Sequence, residues 1–390
     1  MAPITLHLRS EDKPLEHRSA LTPATVRKLL DKGFIVNVER SPVRIFEDKE
    51  FEDVGATMVP TGTWPDAPQD HIIIGLKELP EEEFPLKHTH IQFAHCYKGQ
   101  GGWDKVLSRF PGGGGTLYDL EFLEDHSGRR VAAFGYHAGY AGAALAIMDW
   151  AWQLEHGGQT PMPGKQHYKN EGDLIKEVKA ELEKGLAKAE GKKPQILVIG
   201  ALGRCGRGAL DLCRAVDIPE SNLLKWDMKE TEKGGPFAEI RESDIFINCI
   251  YLSADIPKFV TEDFLKEGER RLSVVCDVSC DTTNPLNPIP FCNKPTYFDK
   301  PTITLPESEF SNPPLSYITI DHLPSLLPRE ASEAFSTALL PSLLELPQHS
   351  SAPVWQKARK LFDEKVATLP PKLQQAKGFL TGSTLPTARP

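Results

Sequence analysis

Two short stretches carry side chains able to exchange protons. In "DHIIIGLKELP" three isoleucines run straight into Lys77 and Glu78, and in "HIQFAHCYKGQ" an apolar run gives way to His95, Lys98 and Gln100. A strand buried on both faces cannot hold such charges unpaired, so Lys77 belongs at a strand end. In open α/β sheets the carboxyl edge is where ligands bind. A lysine partly desolvated there has a lowered pKa and can serve as a base near neutrality, whereas Glu78 beside it favours the charged form. The sequence leaves that balance open, and a lysine that merely reaches water is the plain alternative. His95, at the end of the next strand, adds a candidate acid/base of different intrinsic pKa on the same rim. Arg18 in "EHRSALTP" and Arg129 with Arg130 in "GRRVAAFG" are fixed cations suited to carboxylates or phosphates, although a solvated turn would also accommodate the latter pair.

A second signal concerns a cofactor. "PQILVIGALGRCGRGALDLCRAV" sets Gly200, Gly203, Gly206 and Gly208 between an apolar strand and a helix, where backbone N–H groups can approach a pyrophosphate. The spacing departs from strict GxGxxG, and a tight turn alone explains a bare glycine cluster. The next strand, "NLLKWD", ends in Asp227, 21 residues beyond Gly206, which completes a dinucleotide pattern. A carboxylate there accepts from ribose hydroxyls and repels a 2′-phosphate, so the expected cofactor is NAD rather than NADP.

The elements that must position these residues read as two βα series. "ITLHLR", "FIVNVE", "HIIIGLK", "HIQFAHCY" and "GGTLYDLEFL" are strands, with a helix at "TPATVRKLLDKG" capped by Thr22 and opened by Pro23. A long apolar helix from "AGYAGAALAIMDWAWQLEHG" and a polar one from "DLIKEVKAELEKGLAKAEGKK" lead to "QILVIG", "NLLKWD", "DIFINCI", "RLSVVCDV" and "SYITIDHL". The expected fold is α/β, two Rossmann-like doubly wound domains with a cleft between them. The tail from "REASEAFSTALLPSLLEL" through "VWQKARKLFDEKVATL" is amphipathic and can pack back onto the first domain. That gives residues 1–133 with about 330–390 as a discontinuous substrate-side domain, and 134–329 as the NAD domain. The last residues, "GFLTGSTLPTARP", read as frayed.

With 40% apolar and 25% charged residues the chain is ordinary for a globular protein, and its net charge of −9 argues against general binding to nucleic acid or anionic membrane. Seven scattered cysteines suit a reducing compartment, and none of their spacings makes a zinc site, so no metal is expected. No signal peptide or membrane span is evident, and "TLPTARP" is not a peroxisomal tripeptide, which leaves the cytoplasm as the expectation. The oligomeric state is not legible; a monomer is favoured.

Longer segments carry a family likeness. "KPLEHRSALTP", "DHIIIGLKELP", "HIQFAHCYK", "GTLYDLEFLED", "GRRVAAFG", "IGALGRCGRGA", "LLKWDMKET", "DIFINCIYLS", "DVSCDTTNPLNPIP" and "ITIDHLPSLLPREASE" resemble the fungal saccharopine dehydrogenases of the NAD-dependent, L-lysine-forming type. More distantly, "EHRSALTP" is similar to the start of alanine dehydrogenases and transhydrogenases. The resemblance implies oxidative cleavage of saccharopine to L-lysine and 2-oxoglutarate, the last step of lysine biosynthesis by the aminoadipate route. It implies Lys77 as base for the secondary amine, His95 as acid/base for imine hydrolysis, and Glu78 and Glu121 as charge-tuning groups. Arg18, Lys98, Gln100, Arg130, Phe134, Ser279, Cys280 and Asp281 match substrate positions, with Cys280 standing where alanine is expected in relatives. Arg129, Gly203, Arg204, Asp227, Thr231, Tyr251, Val278, Ile320, Asp321, His322 and Leu323 match cofactor positions. The resemblance also suggests that Cys205 and Cys249 can cross-link, and Cys205, in a turn that opens a helix, is expected to be a stabilised thiolate. An alanine-type amino-acid dehydrogenase and a non-catalytic NAD-binding sensor are the alternatives; intact Lys77 and His95 speak against the second.

Overall fold

The computed structural model describes residues 3–158, 160–252, 254–280 and 282–374. Two compact units divide the chain. One runs to Ala133 and resumes at Ser332; the other is Phe134–Ala331.

The first unit alternates β1 (Thr5–Leu8), α1 (Pro23–Asp31), β2 (Ile35–Glu39), α2 (Asp48–Asp53), β3 (Thr57–Val59), β4 (Ile72–Ile74), β5 (Thr89–Gln92), α3 (Trp103–Gly113) and β6 (Thr116–Asp119). All six strands are parallel in the order β3-β2-β1-β4-β5-β6. The chain therefore winds outward from β1, returns, and winds the other way from β4, so the carboxyl ends of β1 and β4 flank the switch point. Helix α1 starts where its residues require: Thr22 and Thr25 exchange side-chain and backbone hydrogen bonds in a capping box, and Pro23 fills the first position, which lacks an acceptor anyway. Ile73, Leu107, Phe110 and Leu117 form the core with Phe362, Val366 and Leu369 of the tail.

The second unit opens with α4 (Gly135–His156) and α5 (Glu171–Lys188). It continues through β7 (Ile196–Ile199), α6 (Arg204–Ala215), β8 (Leu223–Trp226), α7 (Met228–Thr231), α8 (Ala238–Glu242), β9 (Ile245–Asn248), α9 (Glu262–Lys266), β10 (Val274–Asp277), β11 (Ile303–Thr304) and β12 (Ser316–Ile318). Its sheet runs β11-β12-β10-β9-β7-β8, parallel except for the short edge strand β11. Here the switch point lies between β7 and β9. Helix α4 is buried almost all round because it packs inside the unit; the backbone approach to α6 is so close that a methyl at Gly208 would sit 1.9 Å from the Tyr136 carbonyl oxygen.

The tail comprises α10 (Pro328–Leu344), α11 (Pro353–Ala367) and α12 (Pro371–Gln374). It is fastened to the first unit by polar and aromatic contacts alike. Ser332 accepts from the Ser19 backbone at 2.9 Å, Ser336 and Thr25 hydroxyls meet at 2.6 Å, and fully buried Trp355 lies 5.1 Å from Tyr118 between ring centres. The stretch from residue 378 onward, expected to fray, lies outside the described residues. Among the described residues no helix is long and apolar enough to cross a membrane.

Candidate active site

Strand β4 ends at Ile74, yet its backbone stays paired beyond that point: Gly75 donates to Ile91 O and Phe93 donates to Leu76 O, both at 3.0 Å. Lys77 thus emerges on the carboxyl rim one residue after the pairing ends. Gly75 is required there, since a methyl would lie 2.3 Å from Nε of Arg9, a guanidinium buried beneath the loop and donating to the Lys77 carbonyl. Glu11 fixes the same loop by accepting from Leu76 N at 2.6 Å and Lys77 N at 2.9 Å. The backbone of Lys77 is therefore held from both sides.

Around the Lys77 ammonium the charges resolve what the sequence left open. Burial lowers its pKa, Arg18 and Lys13 lower it further, and the opposing pull of Glu78 and Glu16 does not restore it. Each acid is already engaged. Glu16 receives the Arg18 fork at 2.8 and 2.7 Å and its backbone N–H at 3.0 Å, so despite burial its carboxyl is held below the usual range. Burial would raise Glu78, but the hydrogen bond from Lys13 and the nearby Lys77 charge bring it down to about 2. Arg18 is consequently a cation with a built-in counter-ion.

A second cluster occupies the ends of β5 and β6. His95 is exposed and sits at φ 52°, a left-handed conformation that a residue with a side chain adopts only when its surroundings impose it. Lys98 reaches Glu121 at 2.6 Å, with Arg130 at 3.6 Å from the same oxygen, and Gln100 accepts from Lys98 N at 3.0 Å. Lys77 and His95 thus stand just beyond the ends of adjacent strands. Arg129 is exposed at a turn whose backbone bonds to Asp125. A residue that the sequence did not single out lies under this cluster: buried Asp119 at the end of β6 accepts from Ala94 N at 3.2 Å and Glu121 N at 2.9 Å. The signal for it was an acid closing the apolar run "TLYD".

In the second unit the glycine turn links β7 to α6. Gly200 has φ +87°, and a methyl at Gly206 would lie 2.1 Å from Gly200 O, so the turn folds against the helix start as a dinucleotide turn does. Gly203 is the N-cap, and the N–H groups at the start of α6 suit a pyrophosphate. Asp227 closes β8: one carboxylate oxygen accepts from Leu202 N at 3.0 Å and the other from Met228 N at 2.9 Å. Thr231 donates to the Asp227 carbonyl at 3.1 Å. Large apolar side chains stand exposed beside this site, Leu202 at 78%, Met228 at 81% and, after β9, Tyr251 at 67%, which is the surface an adenine ring would cover. Of these, Leu202 and Met228 escaped notice in the sequence because exposure has no sequence signature.

Beyond β9 and β10, Asn248 donates to Asp277 at 2.9 Å and to Ser279 at 3.3 Å, and Cys280, at φ 51°, donates to Thr319 O. Val278 packs against the core, Ile320 and Leu323 are 1% exposed within it, and Asp321 is exposed, so the first three can meet a ligand chiefly through backbone. Phe134 is the N-cap of α4, Arg204 opens α6, and the His322 ring meets Phe298 at 5.0 Å. Asp281 lies outside the described residues. The expectation of a stabilised thiolate at Cys205 needs correction. Cys205 and Cys249 are free, and burial pushes both thiols up, Cys249 well above its ordinary value, so desolvation outweighs the helix start that was expected to stabilise a thiolate. Among the described residues no group of acids, histidines and cysteines is arranged to hold a metal.

Residues 7–141 match the family described as alanine dehydrogenase/PNT, N-terminal domain. Among solved structures an L-alanine dehydrogenase superposes with a TM-score of 0.62 at 16% identity, over 93% of this chain and 100% of that one. A transhydrogenase from Sinorhizobium meliloti gives 0.57 at 17%, over 89% and 96%. Two parallel-sheet units, one with a charged rim and one with a glycine turn and acid, define the alanine dehydrogenase and transhydrogenase class of fold. Within it the sequence is much nearer to one group. It is 63% identical to the saccharopine dehydrogenase (NAD+, L-lysine-forming) of Yarrowia lipolytica, over 94% of this chain and 98% of that protein, and 62% identical to the protein of that name from Neurospora crassa, over 95% and 98%. The chain belongs to the saccharopine dehydrogenase family of the NAD+-dependent, L-lysine-forming type.

Proposed function

We propose that this chain oxidises L-saccharopine with NAD and water, giving L-lysine, 2-oxoglutarate and NADH. The observation that carries the reading is the Lys77 amine, half-buried at the carboxyl rim, flanked by Arg18 and Lys13 and lowered in pKa. A base for a secondary amine must be neutral near physiological pH, and this setting favours the neutral form. Lys77 takes the proton from the substrate nitrogen as hydride leaves the glutamyl α-carbon. NAD, when bound, supplies the hydride acceptor. His95 then assists addition of water to the substrate imine and collapse of the resulting carbinolamine, releasing lysine. Glu78 and Glu121 offset the cations beside them, Lys13 for the first and Lys98 with Arg130 for the second.

Arg18, Lys98, Gln100, Arg130, Phe134, Ser279, Cys280 and Asp281 bind the substrate, whose three carboxylates suit a cationic set. Arg129, Gly203, Arg204, Asp227, Thr231, Tyr251, Val278 and residues 320–323 hold the dinucleotide. The Asp227 carboxylate accepts from Leu202 N and Met228 N and caps the first turn of α7, and its remaining lone pair serves a ribose hydroxyl. A monomer acting in the cytoplasm completes the proposal, which sedimentation and cell fractionation test. The direct test is NADH absorbance with NAD and saccharopine, beside a parallel assay with L-alanine. Turnover of saccharopine is expected. Turnover of alanine in its place, or tight NAD binding without turnover of either, would overturn the reading.

A further inference from the structure

Asp119 is a carboxylate enclosed by the protein, 3% exposed, at the carboxyl end of β6, and among the described residues its hydrogen bonds come from backbone N–H groups, where Glu16 and Glu78 are held by cations. Its two oxygens instead hold backbone. Oδ2 accepts from Ala94 N, the residue immediately before His95, and Oδ1 accepts from Glu121 N. The same loops are joined once more at the strand ends, where Leu120 N donates to Gln92 O at 3.0 Å. His95 holds its left-handed backbone one residue from the Ala94 contact, and Glu121, which carries Lys98 and Arg130, is tied through the other oxygen.

We propose that Asp119 is a positioning residue for the reaction, a carboxylate strut that holds the His95 and Glu121 backbones in register so that one ionisation controls both. The inference rests on His95 acting as proposed above. A neutral carboxyl has one good acceptor oxygen and a hydroxyl that must itself donate, so it cannot accept equally well from two N–H groups on opposite sides. Protonation therefore releases one loop.

The pH range in which this happens is physiological. Burial raises the Asp119 pKa, the two backbone N–H groups lower it, neighbouring Glu121 raises it and Arg130 lowers it, leaving it at about 7. The other titratable groups that face it are the Cys96 thiol and Tyr97 phenol from the segment after β5, both pushed up by burial and by Asp119 itself. Lys98 stands beyond Glu121, and from α11 Lys365 and Asp363 act on Cys96 and Tyr97 respectively. Burial keeps the Cys96 thiol and the Tyr97 phenol neutral near pH 7, whereas it brings Asp119 to titrate there. Loss of the strut displaces the His95 loop, and a displacement on the order of 1 Å costs up to about a hundredfold in rate.

The experiment compares wild type, Asp119→Asn and His95→Gln in saccharopine oxidation from about pH 6 to 9. Asparagine has one acceptor oxygen and so imitates the protonated acid. The variant is expected to turn over about tenfold to a hundredfold more slowly at alkaline pH, to lose the inflection near neutrality, and to bind NAD as wild type does. Full turnover with an unchanged pH profile, or a lower melting temperature with both preserved, would overturn the strut. Should Asp119→Asn fail to fold, wild-type NMR decides: the Ala94 and Glu121 amide resonances, whose N–H groups donate to Asp119, should shift together with an inflection near pH 7, and amide shifts that do not change across that range contradict the inference. Wild-type turnover in His95→Gln removes the parent reading, while an impaired His95→Gln beside an unaffected Asp119→Asn removes this inference alone.

Discussion

Glu16→Gln should damage stability and shift catalysis in one predictable direction. In the folded protein Glu16 and Arg18 are 4% and 5% exposed and share three hydrogen bonds, at 2.7, 2.8 and 3.0 Å. Glutamine offers one acceptor and brings an amide donor against the guanidinium, so Arg18 keeps its charge while losing its counter-ion. Breaking a buried pair in this way costs about 3 to 5 kcal/mol. The folded pKa of Glu16 is depressed, so its stabilisation is present above the unfolded value of about 4.5 and lost as pH falls below it. The deficit of the variant should accordingly shrink in acid. Removing Glu16 also takes away a charge that supports the Lys77 ammonium and leaves the Arg18 charge opposing it, so the Lys77 pKa falls further. A base with a lower pKa is neutral at lower pH, and the acid limb of kcat/KM should move to lower pH. Urea unfolding at neutral and acid pH, with pH profiles on the same preparations, measures both effects. Stability within about 1 kcal/mol of wild type, or an acid limb moved upward, would refute this account of the Lys77 environment.

Two further expectations test the second unit. Asp227→Ala should weaken NAD by about 1 to 3 kcal/mol and narrow its advantage over NADP, because a charged acceptor and a repulsive charge vanish together; equal kinetics with wild type for both nucleotides would contradict the assignment. Asp149, fully enclosed in α4 and bonded to Ser316 and Gln153, is pushed up by burial to about 6 from an ordinary 3.8. A raised acid is stabilising at low pH, and that contribution is lost as pH rises from about 4 through 6, so Asp149→Asn should gain on wild type by on the order of 2 kcal/mol between pH 4 and 7.5. A constant difference between the two across that range would show that the carboxyl does not titrate in the fold.

Much of this architecture could be read from local pattern. The parallel strands announced themselves as apolar runs, Thr22 and Pro23 marked the start of α1 to the residue, and the glycines before Arg204 marked the nucleotide turn. Short elements escaped: β3 and the antiparallel edge strand β11 are three and two residues long, too short for any periodicity. Helix α4 begins at Gly135, ahead of its apolar stretch, because its glycines meet α6 rather than water. The partners of the site were the least legible. Lys13 and Glu78 are 65 positions apart, as are Glu11 and Leu76, and such pairings arise only when β1 and β4 lie side by side. The balance at Lys77, the engagement of Arg18 by Glu16 and the role of Asp119 all depend on those contacts. Burial also reversed the expectation at Cys205, since a helix start favours a thiolate only where the sulfur keeps some solvent.

The central claim is that Lys77 removes the proton from the substrate amine, and single-turnover NADH formation from saccharopine by Lys77→Met tests it most directly. Methionine keeps the length and bulk of the stem without the amine, and the loop is held by backbone contacts to Arg9 and Glu11 that do not involve the side chain. The variant should fold and bind NAD normally, form NADH about 10² to 10⁴ times more slowly, and lose the limb of the pH profile that reports the base. NADH formation at the wild-type rate with the pH profile intact would show that Lys77 is a strand-end lysine and that another group performs the deprotonation.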